Sequence, residues 1–325
     1  MSSEQPAIVF LDAATYGDVS LHRFIERWRC TVYQTTSPEQ TISRLAQHSV
    51  AVTNKVVLDK AVLSAAEARD LKLIAVAATG TDIIDRHEAA QRGVNVCNVP
   101  GYATQSVAQF TLGLILESAT CAAKYGAAVK AGEWQRSPVF SLLKFPALEL
   151  VGKKLGIVGY GSIGQAVAQM ARALGMEILV AARPGAPGAI PQGRVSLAQL
   201  LREADFISLH CPLTPQTRQL IDAHSLGQMK PTAFLINTAR GALVDEVALI
   251  DALSKKRIAG AALDVISAEP PPADHPILRA AKELDNLIVT PHTAWSAREA
   301  RERLLEEVEA NITAFLQGRD RNRVA

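Results

Sequence analysis

The sequence predicts an α/β protein built from two doubly wound parallel-sheet domains, and two observations carry that expectation. The chain has 325 residues, more than one ordinary core absorbs and about right for two domains. Along it, short β-branched runs alternate with helix-length amphipathic stretches, the pattern of parallel sheets covered by helices. With 48% hydrophobic and 20% charged residues, the chain has ample material for a core and no compositional sign of long disorder.

Taken in order, AIVFLD (7–12) predicts the first strand and residues 19–28 a helix. SVAVTN (49–54), LKLIAVAA (71–78) and VNVCN (94–98) predict three further strands of a small α/β domain. Residues 105–131 have apolar side chains at spacings of three and four, which predicts a long, mostly uninterrupted helix between domains. A second α/β series follows: KLGIVGY (154–160), MEILVAA (176–182), ADFISLHCP (204–212), TAFLINT (232–238), GAALDV (260–265) and LIVTPH (287–292). The segment 296–316 is charged and helical, with Leu304, Leu305, Val308, Ile312 and Phe315 on one side. If it packs back on the first third, the first domain is discontinuous: 1–103 with 293–325, and 104–292 as the second domain. Residues 184–191 and 270–276, bounded by prolines, are expected to be loops.

A net charge of +2 gives no reason to expect nucleic acid or a membrane surface as partner. Cys30, Cys97, Cys121 and Cys211 are scattered, so neither a disulfide framework nor a metal site is expected. The opening residues carry no basic leader and their apolar run, 7–11, is short, so a cytoplasmic location is expected.

The chemistry starts at GYGSIG, residues 159–164, straight after an apolar strand and straight before a helix. In that context the glycine pattern is a dinucleotide fingerprint. Gly159 permits the tight turn, Gly161 lets a pyrophosphate approach the backbone, and Gly164 lets the helix lie close to the sheet. The N–H groups of Ser162 and Ile163 at the helix start favour phosphate. The next strand should end on an acid that grips the adenosine ribose, but Ala182 and Arg183 stand there. A missing acid beside a guanidinium suits a 2′-phosphate, so NADP(H) is favoured and NAD(H) remains possible; otherwise Arg183 is a solvated loop residue.

Three polar residues follow later strands: Arg240 after FLINTA, Glu269 after LDVISA, and His292 after LIVTP. The carboxyl ends of strands in an open parallel sheet are where ligands bind. Arg240 can grip a planar carboxylate with two parallel hydrogen bonds. His292 can donate the proton that a ketone oxygen needs when hydride reaches its carbon. A neighbouring guanidinium would discharge that imidazole, and Glu269 on its other nitrogen would reverse this and fix the tautomer. Each residue also has a plainer reading: Arg240 paired with Asp245, Glu269 in an exposed turn, His292 structural.

VGYGSIG, LHCPLTPQTRQLI, MKPTAFLINTARGALVDEVAL, GAALDVISAEPP and IVTPHTAW follow one another in an order that resembles the D-isomer-specific 2-hydroxyacid dehydrogenase family over nearly the whole chain. The resemblance is closest to its glycerate dehydrogenase, or hydroxypyruvate and glyoxylate reductase, branch. It implies a Rossmann cofactor domain inserted in a flavodoxin-like substrate domain, a homodimer joined through the cofactor domains, and catalytic roles for Arg240, Glu269 and His292. It further implies cofactor contacts at His210, Cys211, Pro212, Thr217, Thr238 and Ala239, with Asp264 holding the carboxamide unless it is a strand-end cap. Substrate contacts fall on backbone N–H groups of Ala78, Thr79 and Gly80, and on Arg240 and His292; Asn54 and Lys55 end a neighbouring strand and either line the cleft or, for Lys55, face solvent. Trp134 and Trp295 read as packing or subunit-contact residues, with contact to a substrate side chain the alternative for Trp295. The chain departs from the family pattern at Ile83, Val107 and Gln109, where Asn, Thr and an acid are common.

The function expected is reduction of a small 2-oxo acid by a nicotinamide dinucleotide. The rivals are a dinucleotide-sensing scaffold or corepressor of the same fold, which has no need of the complete Arg, Glu and His set, and a formate- or phosphite-type dehydrogenase.

Overall fold

The computed structural model describes residues 5–183 and 189–325; most of the loop expected at 184–191 lies outside them. The strands are β1 Ala7–Phe10, β2 Arg29–Val32, β3 Val50–Thr53, β4 Leu73–Val76, β5 Asn95–Cys97, β6 Lys154–Val158, β7 Glu177–Val180, β8 Phe206–Leu209, β9 Phe234–Asn237, β10 Gly260–Leu263 and β11 Leu287–Val289. The α-helices are α1 His22–Ile25, α2 Pro38–Leu45, α3 Lys60–Ser64, α4 Arg86–Gln91, α5 Thr104–Thr120, α6 Ala122–Lys130, α7 Ser162–Ala173, α8 Leu197–Glu203, α9 Ala223–Gln228, α10 Glu246–Ser254, α11 Pro276–Glu283 and α12 Arg298–Leu316. Two compact units result, Met1–Ala103 with Ser296–Ala325, and Thr104–Trp295. Among the described residues no single helix is long and apolar enough to cross a membrane.

The first unit is a five-stranded parallel sheet in the order β2-β1-β3-β4-β5, the flavodoxin-like arrangement. β1, β3 and β4 are buried along their whole length, which is why they read as apolar runs, broken only by Thr53 at the end of β3. β2 is an edge strand, half-exposed and reading RCTV, so it carries no such signal. The helix expected at 19–28 is reduced to the single turn of α1. The N–H groups of Arg27 and Trp28 close back on the Phe24 carbonyl at 3.1 and 2.9 Å, and Phe24 packs edge-on against Phe10 at 5.0 Å between centroids. A signal did exist for α2: Ser37 and Gln40 form a reciprocal capping box ahead of it.

The second unit carries a six-stranded parallel sheet, order β11-β10-β9-β8-β6-β7. Beyond β7, Val195 forms a parallel bridge with Ala181. Counting that bridge as a residual strand gives the dinucleotide-binding order, with its reversal between β6 and β8. The single long helix expected at 105–131 is instead two helices bent by 61°. Cys121 sits between them with φ of 54°, and the Glu117 carboxylate accepts the Ala123 N–H at 3.1 Å, starting α6 afresh. Apolar periodicity continues through such a break, so the sequence pattern does not register it. Ala108 and Ile115 of α5, Val167 and Ala171 of α7, and Leu155 and Ile157 of β6 share one core, which fixes α7 and the turn before it against the sheet.

Candidate active site at the strand ends of the second unit

At the switch point, each glycine of 159–164 has a different physical reason. Gly159 has φ of 96°, and a Cβ there would lie 2.4 Å from the Cys211 nitrogen and 2.5 Å from the His210 carbonyl carbon. A Cβ on Gly164 would fall 2.2 Å from the Gly159 oxygen, so α7 can begin this close to the turn only with glycine. At Gly161 a Cβ would meet nothing within 4 Å and φ is an ordinary −77°; protein packing does not require glycine there. Open space over the first turn of a twelve-residue helix whose N-cap offers no side chain fits a dinucleotide pyrophosphate approaching the backbone. Ser162 is exposed and Ile163 half-buried at that same turn.

Opposite Gly159, His210 takes a 2.9 Å hydrogen bond at Nε2 with Ser208, and burial lowers its pKa to about 4, which keeps it neutral near pH 7. Burial pushes the adjacent Cys211 thiol up to about 11, away from reactive thiolate. The Thr217 hydroxyl donates to the Pro212 carbonyl and accepts the Thr214 N–H, both at 2.7 Å, and so holds the loop after β8. Arg183 is exposed at the end of β7.

The second cluster lies beyond β9, β10 and β11, which are neighbours in the sheet. The His292 Nδ1 and Glu269 Oε2 atoms are 2.5 Å apart, with side chains 26% and 31% exposed: enclosed enough to be fixed, open enough to meet a substrate. The other carboxylate oxygen of Glu269 accepts the Ile266 N–H at 2.9 Å, so the group is held at both oxygens. Gly241 connects this pair to Arg240, because a Cβ on it would lie 2.0 Å from the backbone carbon and oxygen of Ile266. Arg240 therefore leaves β9 against the turn that Glu269 closes. Asn237 sets its conformation, donating to the Arg240 carbonyl at 2.9 Å and accepting the Ala239 N–H at 3.0 Å. Asp245, the alternative partner weighed for Arg240, caps α10 through the Val247 and Ala248 N–H groups.

Asp264, fully buried, uses its carboxylate as a cap for the His292 loop. It accepts from Thr290 Oγ1 at 2.6 Å, the Thr293 N–H at 2.9 Å and the Ala294 N–H at 2.8 Å, while its carbonyl accepts the His292 N–H at 2.8 Å. Trp295 donates to the His292 carbonyl at 2.9 Å. Thr238 shares a 2.9 Å hydroxyl contact with Thr111 of α5.

In the first unit, the loop at Ala78, Thr79 and Gly80 is tied down by its own bonds: the Ala78 carbonyl accepts the Val99 N–H, and the Thr79 carbonyl accepts from Asn98. Asn54 is buried rather than open, and its N–H, with those of Lys55 and Val56, is taken up by the Asp12 carboxylate. The sequence reading missed Asp12, and also Asn237 and the group of Glu246, Ser267 and His275 beside the Glu269 turn. Asp12 and Glu246 have partners distant in sequence, and the Asn237 side chain bonds only backbone atoms two and three residues on, so no side-chain pattern announces them.

A dinucleotide turn and a carboxylate-backed imidazole on one parallel sheet define a nicotinamide-dependent oxidoreductase. Residues 112–294 match the model for the D-isomer specific 2-hydroxyacid dehydrogenase, NAD binding domain. The chain is 41% identical over 317 residues to a glycerate dehydrogenase of Methylorubrum extorquens, covering 97% of this chain and 98% of that one. It is 44% identical over 271 residues to a glyoxylate reductase of Thermococcus litoralis, covering 82% and 79%. The structure of an acyclic imino acid reductase in complex with NADPH and D-Arg superposes with a TM-score of 0.82 at 28% identity, covering 98% and 100%. This chain belongs to the D-isomer specific 2-hydroxyacid dehydrogenase family.

Proposed function

We propose that the protein reduces a small 2-oxo acid, hydroxypyruvate or glyoxylate, to the corresponding 2-hydroxy acid, of D configuration where it is chiral, with NADP(H) preferred over NAD(H). The observation that carries this reading is the 2.5 Å contact between His292 Nδ1 and Glu269. It places a proton on Nδ1, so Nε2 is the ring atom that gives its proton to the substrate oxygen. The dinucleotide, when bound, supplies the hydride to the carbonyl carbon. Arg240 holds the substrate carboxylate, and Glu269 balances the imidazolium charge beside that guanidinium. In the reverse direction His292 accepts the proton of D-glycerate or glycolate. The names of the glycerate dehydrogenase and glyoxylate reductase relatives support this substrate class. The preference for NADP(H) is supported by Ala182 and Arg183 at the end of β7.

The test follows dihydronicotinamide absorbance on adding hydroxypyruvate or glyoxylate to the purified protein with NADPH or NADH. Oxidation of NADPH is expected, with Arg240→Ala losing chiefly kcat/KM for the acid. Dinucleotide binding without turnover on any 2-oxo acid would favour the sensor reading instead.

A homodimer is part of the proposal. After α6, Phe140 is 92% and Leu143 88% exposed, with Trp134 and Val139 also open; apolar side chains grouped this way mark a surface that a partner covers. Phe140→Glu with Leu143→Glu should halve the mass measured by light scattering, and an unchanged mass would remove this segment from the interface. Use of a soluble dinucleotide supports the cytoplasmic location.

A further inference from the structure

We propose that Arg194 is a specificity-determining residue that, with Arg183, reads the 2′-phosphate of the dinucleotide. The inference rests on the dinucleotide site proposed above and assigns to it a cation that the motif itself does not contain.

Arg194 is separated from β7 by more than ten residues, yet the backbone brings it back to the strand end. The Ala182 N–H donates to the Val195 carbonyl at 2.8 Å, and the Val195 N–H to the Val180 carbonyl at 3.0 Å. Residue 194 is thereby held beside 181–183, where the ribose-gripping acid of this fold would stand. The Arg194 side chain then lies over the Tyr160 ring, Cζ 4.8 Å from the centroid, and Nη1 donates to the Ala181 carbonyl at 3.4 Å. Tyr160 is the residue between the first two glycines of the phosphate turn. A guanidinium resting on a ring keeps its N–H donors in a fixed plane at the ring's edge, and a pre-oriented fork loses less entropy when it binds phosphate than a free side chain does. No carboxylate stands at Ala182 to repel a phosphate dianion, and Arg183 adds a second positive charge from the adjoining backbone. The strap, the stacked fork and the missing acid all favour the same ligand group, a ribose phosphomonoester.

Calorimetric titration of the full chain and of Arg194→Gln with NADPH, NADH, 2′,5′-ADP and 5′-AMP tests this without requiring turnover. The native protein should bind NADPH and 2′,5′-ADP more tightly than NADH and 5′-AMP. Arg194→Gln should weaken the two phosphorylated ligands by about ten- to a hundredfold, the range of charge-assisted hydrogen bonds, and the other two by less than about threefold. Arg194→Lys, which keeps the charge and loses the flat stack, should recover only part of the loss. Equal weakening of all four ligands would make Arg194 a structural strut, and unchanged NADPH binding would make it a bystander; either overturns the inference and leaves the NADP(H) preference standing. A native protein that binds NADH better than NADPH would overturn both.

Discussion

His292 adopts φ of 53°, a left-handed conformation that costs a side chain with a Cβ on the order of 1–3 kcal/mol. The surrounding bonds enforce it: the His292 N–H is shared by the Asp264 and Thr290 carbonyls at 2.8 and 3.0 Å, and its own carbonyl is held by Trp295. That backbone turns the imidazole toward Glu269, so strain and chemistry have one cause. The two can be separated by substitution. His292→Ala keeps the strain and removes the imidazole; His292→Asn removes the imidazole too, but places there a residue that tolerates the left-handed region. Both should cut turnover by about a hundredfold or more, while the asparagine variant melts higher than the alanine variant. Ordinary turnover in either would dismiss His292 as the proton donor, and an identical Tm for the two would dismiss the strain.

Between α10 and α11, the turn that carries Glu269 is anchored from one side by an acid that the reacting groups never touch. Glu246, in the first turn of α10, accepts the Ser267 N–H at 2.6 Å and the Ser267 hydroxyl at 2.8 Å. His275 Nε2 lies 3.6 Å from the same carboxylate, and its Nδ1 accepts the Ile277 N–H at the start of α11. Glu246→Ala should therefore lower kcat several-fold with dinucleotide affinity unchanged; a loss of dinucleotide binding would assign Glu246 to cofactor-domain stability instead. This anchor shows why part of the site was legible and part was not. Arg240, Glu269 and His292 declare themselves because each follows an apolar strand, and strand ends in a parallel sheet converge. Glu246 precedes Ser267 by twenty-one residues on a helix start whose local pattern says only that acids favour an N-terminus. The same limit governs the elements. β1, β3 and β4 read clearly because both faces are buried, β2 does not because it is an edge, and the bend at Cys121 leaves apolar periodicity intact on either side.

The chain crosses from the first unit to the second and returns, so the first unit's stability depends on residues about two hundred positions away from its sheet. Leu304, Leu305, Val308 and Ile312 of α12 are buried to within 1%, and four such side chains contribute roughly 6–12 kcal/mol at 1.5–3 kcal/mol each. That is comparable to the whole net stability of a domain, about 5–15 kcal/mol. Polar ties add to it. Arg301 donates to the Tyr16 carbonyl at 2.6 Å, Asn311 to the Asn98 carbonyl at 2.9 Å, and the Val96 N–H to the Ala325 carbonyl at 3.0 Å, which covers the outer edge of β5. Residues 1–103 expressed alone should consequently show no cooperative melting transition, because the missing helix costs as much as the unit has to lose. Joining 296–325 to residue 103 through a short glycine-serine link should restore the transition, since all the contacts just named lie within that pair of segments. The fragment 104–295, which keeps its six strands and α5 in one continuous stretch, should melt cooperatively by itself and retain dinucleotide binding. A sharp transition in residues 1–103 without the carboxyl-terminal helix would show that the sheet, not its return helix, supplies the decisive burial.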